Sequence, residues 1–146
     1  MALADLNPRS TSKYLIAADL TNQSGRLLTI DVAASSSAGV TVLKLCTAET
    51  EVPVAAVVVG AASDSGSYPG YATSCEFYDT LTGCFDGAIA GSGGVSAGDA
   101  VMGAAAGAFV TAAALAAGDF VVGYALTDAA AGEQFTIKFL VYKREA

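Results

Sequence analysis

Histidine is absent from this 146-residue chain. Its absence removes the usual general base near neutral pH and the commonest metal ligand, so catalytic triads and zinc sites have no starting point. Charge is scarce too. Charged residues make up 14% of the sequence, roughly half the usual quarter. No basic residue lies between Lys44 and Lys138, an interval that holds ten acids from Glu49 to Glu133. Such a stretch repels a phosphate backbone and excludes a nucleic-acid platform.

The three cysteines, Cys46, Cys75 and Cys84, show no CxxC spacing, and without histidine a thiol lacks an obvious activator. They read as buried small hydrophobes. Cys75 and Cys84 could close a loop in oxidant, but an odd count argues against a secreted disulfide framework. Residues 1–13 carry Asp5, Asn7, Pro8 and Arg9 in place of an apolar signal core, so synthesis in a cytoplasm is expected. Residues 104–117 are weakly apolar, are interrupted by Gly107 and Thr111, and fall short of the roughly 17 residues a membrane helix needs. Neither a membrane nor a cofactor is expected as a partner. No metal is expected either, because Asp64, Asp79 and Asp86 do not follow a calcium-loop spacing.

What the chain does contain is sheet punctuation. Ala97-Gly98-Asp99, Ala117-Gly118-Asp119 and Ala131-Gly132-Glu133 each precede a β-like run. Glycine supplies positive φ and the short acid bonds nearby backbone N–H groups, so each phrase predicts a tight turn feeding a strand. Strands are predicted at 28–32, where Leu28, Ile30 and Val32 alternate with Thr29 and Asp31, and at 40–45. A third, 52–59, is a β-branched run buried on both sides with Pro53 at its beginning or edge. Residues 33–39 read as loop. Residues 104–117 read as strand and loop with one helical turn. Further strands are predicted at 120–126 and 134–143; in the last, Phe135, Ile137, Phe139 and Val141 face inward.

These elements predict an all-β fold, an antiparallel sandwich or barrel-like domain of jelly-roll or β-tulip type, with at most one short helix. Residues 1–20 form an extended N-terminal arm in this reading, and residues 21–146 a single domain with a long Gly/Ser/Tyr loop region at 60–94. Tyr68, Tyr71 and Tyr78 would make that region an exposed binding loop, for a host-surface glycan for example, because tyrosines give large contacts at low entropic cost. The alternative is a surface excursion with short strands. Glu76 and Asp79 could in principle serve acid–base chemistry, yet read better as turn-forming acids. With 53% hydrophobic residues and little charge, much apolar surface must face water or other chains, which predicts self-assembly. The basic residues cluster toward the termini. If the terminal strands lie together, Pro8, Arg9, Lys13, Tyr14, Lys138 and Arg144 would form a contact surface for an acidic partner.

Residues 117–137, from Ala117-Gly118-Asp119-Phe120-Val121-Val122-Gly123-Tyr124-Ala125-Leu126 through the alanine-rich turn to Gly132-Glu133-Gln134-Phe135-Thr136-Ile137, resemble the C-terminal signature of small tailed-bacteriophage capsid decoration (cement) proteins. The resemblance covers about thirty residues. The earlier Ala97-Gly98-Asp99 phrase extends it loosely, and residues 60–94 have no counterpart. What it implies is a β-rich homotrimer on the outer surface of the virion head, clamping neighbouring major capsid proteins. It carries over no catalytic residue. A tail-tube or head-fibre protein is the nearer rival, and an enzyme the most remote.

Overall fold

Short runs rich in apolar and β-branched residues, set between turns, build ten strands among the described residues, which are 15, 16, 20–60, 75–78, 80–112 and 115–145 of this computed structural model. The strands are β1 (Leu15–Ile16), β2 (Leu27–Ile30), β3 (Val42–Leu45), β4 (Pro53–Val59), β5 (Glu76–Tyr78), β6 (Gly83–Ile89), β7 (Ala100–Gly103), β8 (Phe109–Thr111), β9 (Phe120–Ala125) and β10 (Gln134–Lys143). One helix, α1 (Val32–Ala38), joins β2 to β3. The strands form two five-stranded sheets, in the orders β1-β3-β2-β4-β5 and β6-β10-β9-β7-β8. All strand pairs are antiparallel except β1 with β3. The predicted all-β class is the observed one.

The second sheet curls until its outer strands approach each other. Ala90, just past β6, forms a parallel bridge with Phe109 of β8, and the Gly91 N–H donates to the Phe109 carbonyl at 2.7 Å. The two sheets are stitched together by backbone as well: Gly25 donates to Val57, and Ile89 donates to Gly25.

One apolar cluster fills the space between the sheets. Leu27, Cys46, Ala56 and Tyr78 come from the side of the first sheet, and Val101, Phe109, Val122, Phe135, Ile137 and Phe139 from the second. A separate cluster, with Ile16, Leu28, Leu43, Val57 and Phe77, lies on the opposite face of the first sheet. Neighbours such as Leu27 and Leu28 thus point into different clusters. The first sheet is buried on both faces, which is why β4 is a nearly continuous apolar run. Burying each large side chain contributes about 1.5–3 kcal/mol before entropy is counted.

Several expectations need correction. Residues 33–39 are not a loop: Val32–Ala38 is helical, capped by Asp31, whose Oδ1 accepts from Ala34 N–H at 3.0 Å, and ended by Gly39 at φ 72°. No helix residue is buried, so no apolar stripe announced it. Val32, expected to close a strand, opens this helix and is exposed. The alternation expected at 28–32 also fails. A bulge between Leu28 and Thr29 buries Thr29, whose hydroxyl donates to the Val52 carbonyl at 2.7 Å, and leaves Ile30 outside. Val141 was expected to face inward, but a register shift between Phe139 and Tyr142 turns it toward solvent. Within the region read as a long loop, β6 is a seven-residue strand. Its exposed Gly83, Cys84 and Asp86 hide the alternation. The helical turn expected in 104–117 is a 3-10 turn at Ala105–Gly107, followed by β8.

Candidate interaction surface

The acids of the three turn phrases are committed to backbone. Gly98, Gly118 and Gly132 have φ of 94°, 96° and 84°. In each turn the acid's N–H closes back on a carbonyl three residues earlier: Asp99 on Ser96, Asp119 on Ala116, Glu133 on Ala130. The carboxylate then accepts from that same earlier residue's N–H, at 3.0 Å for Asp99, 2.8 Å for Asp119 and 3.1 Å for Glu133. Both polar groups of one residue are satisfied by one acid, which is why an acid recurs there.

Glu51 performs the same task without glycine. It accepts from Thr47 N–H at 2.6 Å, the Thr47 hydroxyl at 2.8 Å and Ala48 N–H at 3.0 Å, and pairs with Lys44 at 3.2 Å. Desolvation pushes its carboxyl up, but these hydrogen bonds outweigh it and hold the pKa at about 2. Cys46 is pushed the other way. Burial raises its thiol to about 11, so it stays protonated and unreactive near neutral pH. Cys75 is buried as well, whereas Cys84, expected inside, is exposed on β6; no disulfide joins them. Among the described residues, no group of three or more Cys, Asp or Glu side chains could hold a metal ion.

Tyr78 does not belong to an exposed binding loop. It lies in β5, 3% exposed, between Phe85 and Phe139, and its hydroxyl donates to the Thr82 carbonyl. Burial raises its pKa. An apolar ring at the end of a strand is drawn into the core when the sheets close over it. Tyr68, Tyr71 and Asp79 lie outside the described residues, as do Pro8, Arg9, Lys13 and Tyr14.

Lys138 is exposed on β10, opposite Cys84 on one side and Tyr124 on the other. Arg144 follows the strand, with its N–H donating to the Asp119 carbonyl at 2.7 Å. Lys143 stands over the Phe120 ring, 5.9 Å from its centroid. A basic end of β10 is therefore present. β1 belongs to the first sheet and β10 to the second, and the arm residues that the basic-patch reading joins to this end lie outside the described residues. The remaining described cations are engaged elsewhere: Arg26 donates to the Ala106 carbonyl and Lys44 pairs with Glu51.

Sequence reasoning missed the apolar surface beside this basic end. Leu140 is 54% exposed, Val141 37% and Tyr142 42%, with Val52 nearby in sequence to Pro53 and Val54 at 50%. A cleft of about 440 Å³ runs between Pro53, Val54, Leu81, Phe139, Leu140 and Val141. Another, of about 420 Å³, is lined by Ile30, Val32, Lys44, Glu51 and Val52. Tyr142 hydrogen-bonds Tyr124, which raises its pKa. Apolar side chains this exposed, grouped beside cations, suit contact with another macromolecule. The missing signal was the register shift in β10, which no local pattern encodes.

No protein-family model matches the chain. No curated protein matches it either. Among solved structures, the fold is similar to the crystal structure of the N base of head fibre gp8.5 in bacteriophage phi29, with a TM-score of 0.63 and 21% sequence identity. The similarity covers 95% of this chain and 98% of that one. The two proteins thus share an all-β fold almost end to end.

Proposed function

We propose that this protein is a structural component of a bacteriophage particle, seated on the outer surface of the head. The observation that carries the reading is the end-to-end likeness of fold to a phage head-fibre base. The chemistry agrees. The turn acids are used as caps, Cys46 is protonated, and the solvent-facing end of β10 offers apolar and cationic groups suited to a protein contact.

Two forms of this role differ in number. The resemblance of residues 117–137 favours a decoration protein, a homotrimer that clamps neighbouring shell subunits and so multiplies weak contacts through effective concentration. The fold likeness favours the base of a head fibre. Copy number distinguishes them. Quantitative gel analysis of purified particles should give a count that follows the shell protein for a decoration role and a smaller, fixed count for a fibre base. Light scattering of the isolated protein tests the trimer. Absence from purified particles would overturn both forms.

A further inference from the structure

Two tyrosines and two cations share the outer face of the second sheet. In β10, Ile137 and Phe139 belong to the core, so Lys138 between them points outward. Its neighbour on β9 is the half-buried Tyr124, and on β6 the exposed Cys84. Tyr142 hydrogen-bonds Tyr124 and therefore lies on the same face. Arg144 comes two residues later, still tied to the start of β9: its N–H donates to the Asp119 carbonyl and its carbonyl accepts from the Gly118 N–H. Its charge acts on the Tyr142 hydroxyl, which keeps it beside that ring. Lys143, by alternation, belongs to the other face, where it stands over Phe120.

This strip is rich in donors and poor in acceptors. Lysine and arginine side chains donate and never accept, and in the tyrosine pair one hydroxyl proton closes the bond between the rings while the other is left for an outside acceptor. The acids nearest in the chain or the sheet do not neutralise it. Asp86 is held by the Thr136 hydroxyl at 3.1 Å, Asp119 is buried on the Ala116 N–H, and Glu145 bridges neither cation among the described residues. A carboxylate accepts and never donates, so it is the complementary group. Lys138 and Arg144 stand roughly 15–20 Å apart along the strand, a spacing that suits two acids on one surface. A second copy is the poorer occupant. Two chains of net charge −7 repel each other, and the exposed acids at the opposite end of this sheet, Asp128 and Glu133, already accept from the Ala97 and Ala130 N–H groups.

We infer that the strip of Lys138, Tyr124, Tyr142 and Arg144 binds a protein surface carrying two carboxylates, one taken by each cation. The free tyrosine O–H bonds a carboxylate oxygen, and the two rings supply the contact area between the charges. The inference rests on the proposed function for the source of that surface, a neighbouring protein of the phage head. The charges orient the docking, and their pull is local because the chain as a whole is negative.

The test uses the full chain and two immobilised probes, poly-L-glutamate and alginate, at equal carboxylate concentration. Biolayer interferometry should show binding to poly-L-glutamate that weakens as salt is added. Lys138→Ala with Arg144→Ala should weaken it at least about tenfold, whereas Lys143→Ala, on the other face, should change it by less than about twofold. All three side chains are exposed, and thermal melts check that the variants fold. In NMR titrations with soluble poly-L-glutamate, the amide signals of Tyr124, Lys138 and Tyr142 should move. No binding, an unchanged affinity in the double variant, an equal loss from Lys143→Ala, or signals that move elsewhere in the chain overturns the inference. Tighter binding to alginate assigns the strip to an acidic polysaccharide and overturns it too. So do signals at these residues that move with protein concentration alone, which assign the strip to a second copy. A protein found on particles that fails these measurements keeps its proposed role and loses this site; one that passes them but is absent from particles does the reverse.

Discussion

The Tyr78 ring stacks on Phe139 with centroids 5.5 Å apart, joining β5 of the first sheet to β10 of the second. Phe85 completes the group, 5.6 Å from Tyr78 and 6.1 Å from Phe139. Tyr78→Ala should cost about 3–5 kcal/mol of unfolding free energy, as expected for an emptied aromatic site. Tyr78→Phe keeps the ring and loses the bond to Thr82, so about 1 kcal/mol is expected. Urea denaturation of both variants checks this; equal losses would mean that the hydroxyl, not the stacking, holds the sheets together.

Gly103 is required for space. A Cβ there would sit 2.7 Å from the Cys46 Sγ and 2.9 Å from a Leu27 methyl carbon, both in the core. Gly103→Ala should destabilise by about 1–3 kcal/mol through overpacking. Adding Cys46→Ala makes room, so the double variant should lose less than the sum of the two singles, as measured in a double-mutant cycle.

Glu51 gives acid sensitivity. Its pKa in the fold, about 2, lies below the ordinary 4.5, so the carboxylate form is favoured by folding. The contribution is full above pH 4.5 and is lost as pH falls through this window toward 2. Solvent screening limits it to about 1 kcal/mol. Glu51→Gln should show a smaller loss of melting temperature between pH 5 and pH 3 than the parent. Parallel thermal melts across that range provide the measurement, and identical slopes would remove Glu51 as the cause.

The turn acids should differ in weight although their bonds are alike. Asp119 is buried, so Asp119→Ala leaves Ala116 N–H with no ready substitute; about 1–2 kcal/mol is expected. Glu133 is exposed, and water replaces its carboxylate, so Glu133→Ala should cost about 0.5 kcal/mol or less. Amide exchange at Ala116 and Ala130 reports each turn separately. A larger effect at Ala130 would contradict the role given to burial.

Local chemistry made some elements readable and hid others. The strands β9 and β10 were legible because Gly118 and Gly132 fix turns at their start and because, in β10, Phe135, Ile137 and Phe139 recur at every second position. α1 was illegible because a helix that buries nothing has no stripe; Asp31 and Gly39 were its only marks. Tyr78 looked like a contact residue since tyrosine suits both a surface and a core, and only the approach of Phe139 from another sheet decides between them.

The sequence by itself determined the all-β class, the turn positions and the poverty of reactive groups, because φ preferences, strand alternation and side-chain chemistry act over a few residues. Tertiary structure alone decided which face of Thr29 and Val141 is covered and where the pairing of β5 and β6 with their neighbours stops. Bulges and strand ends are set by pairing between residues far apart in the chain. Their cost and reward appear only once both sheets are assembled.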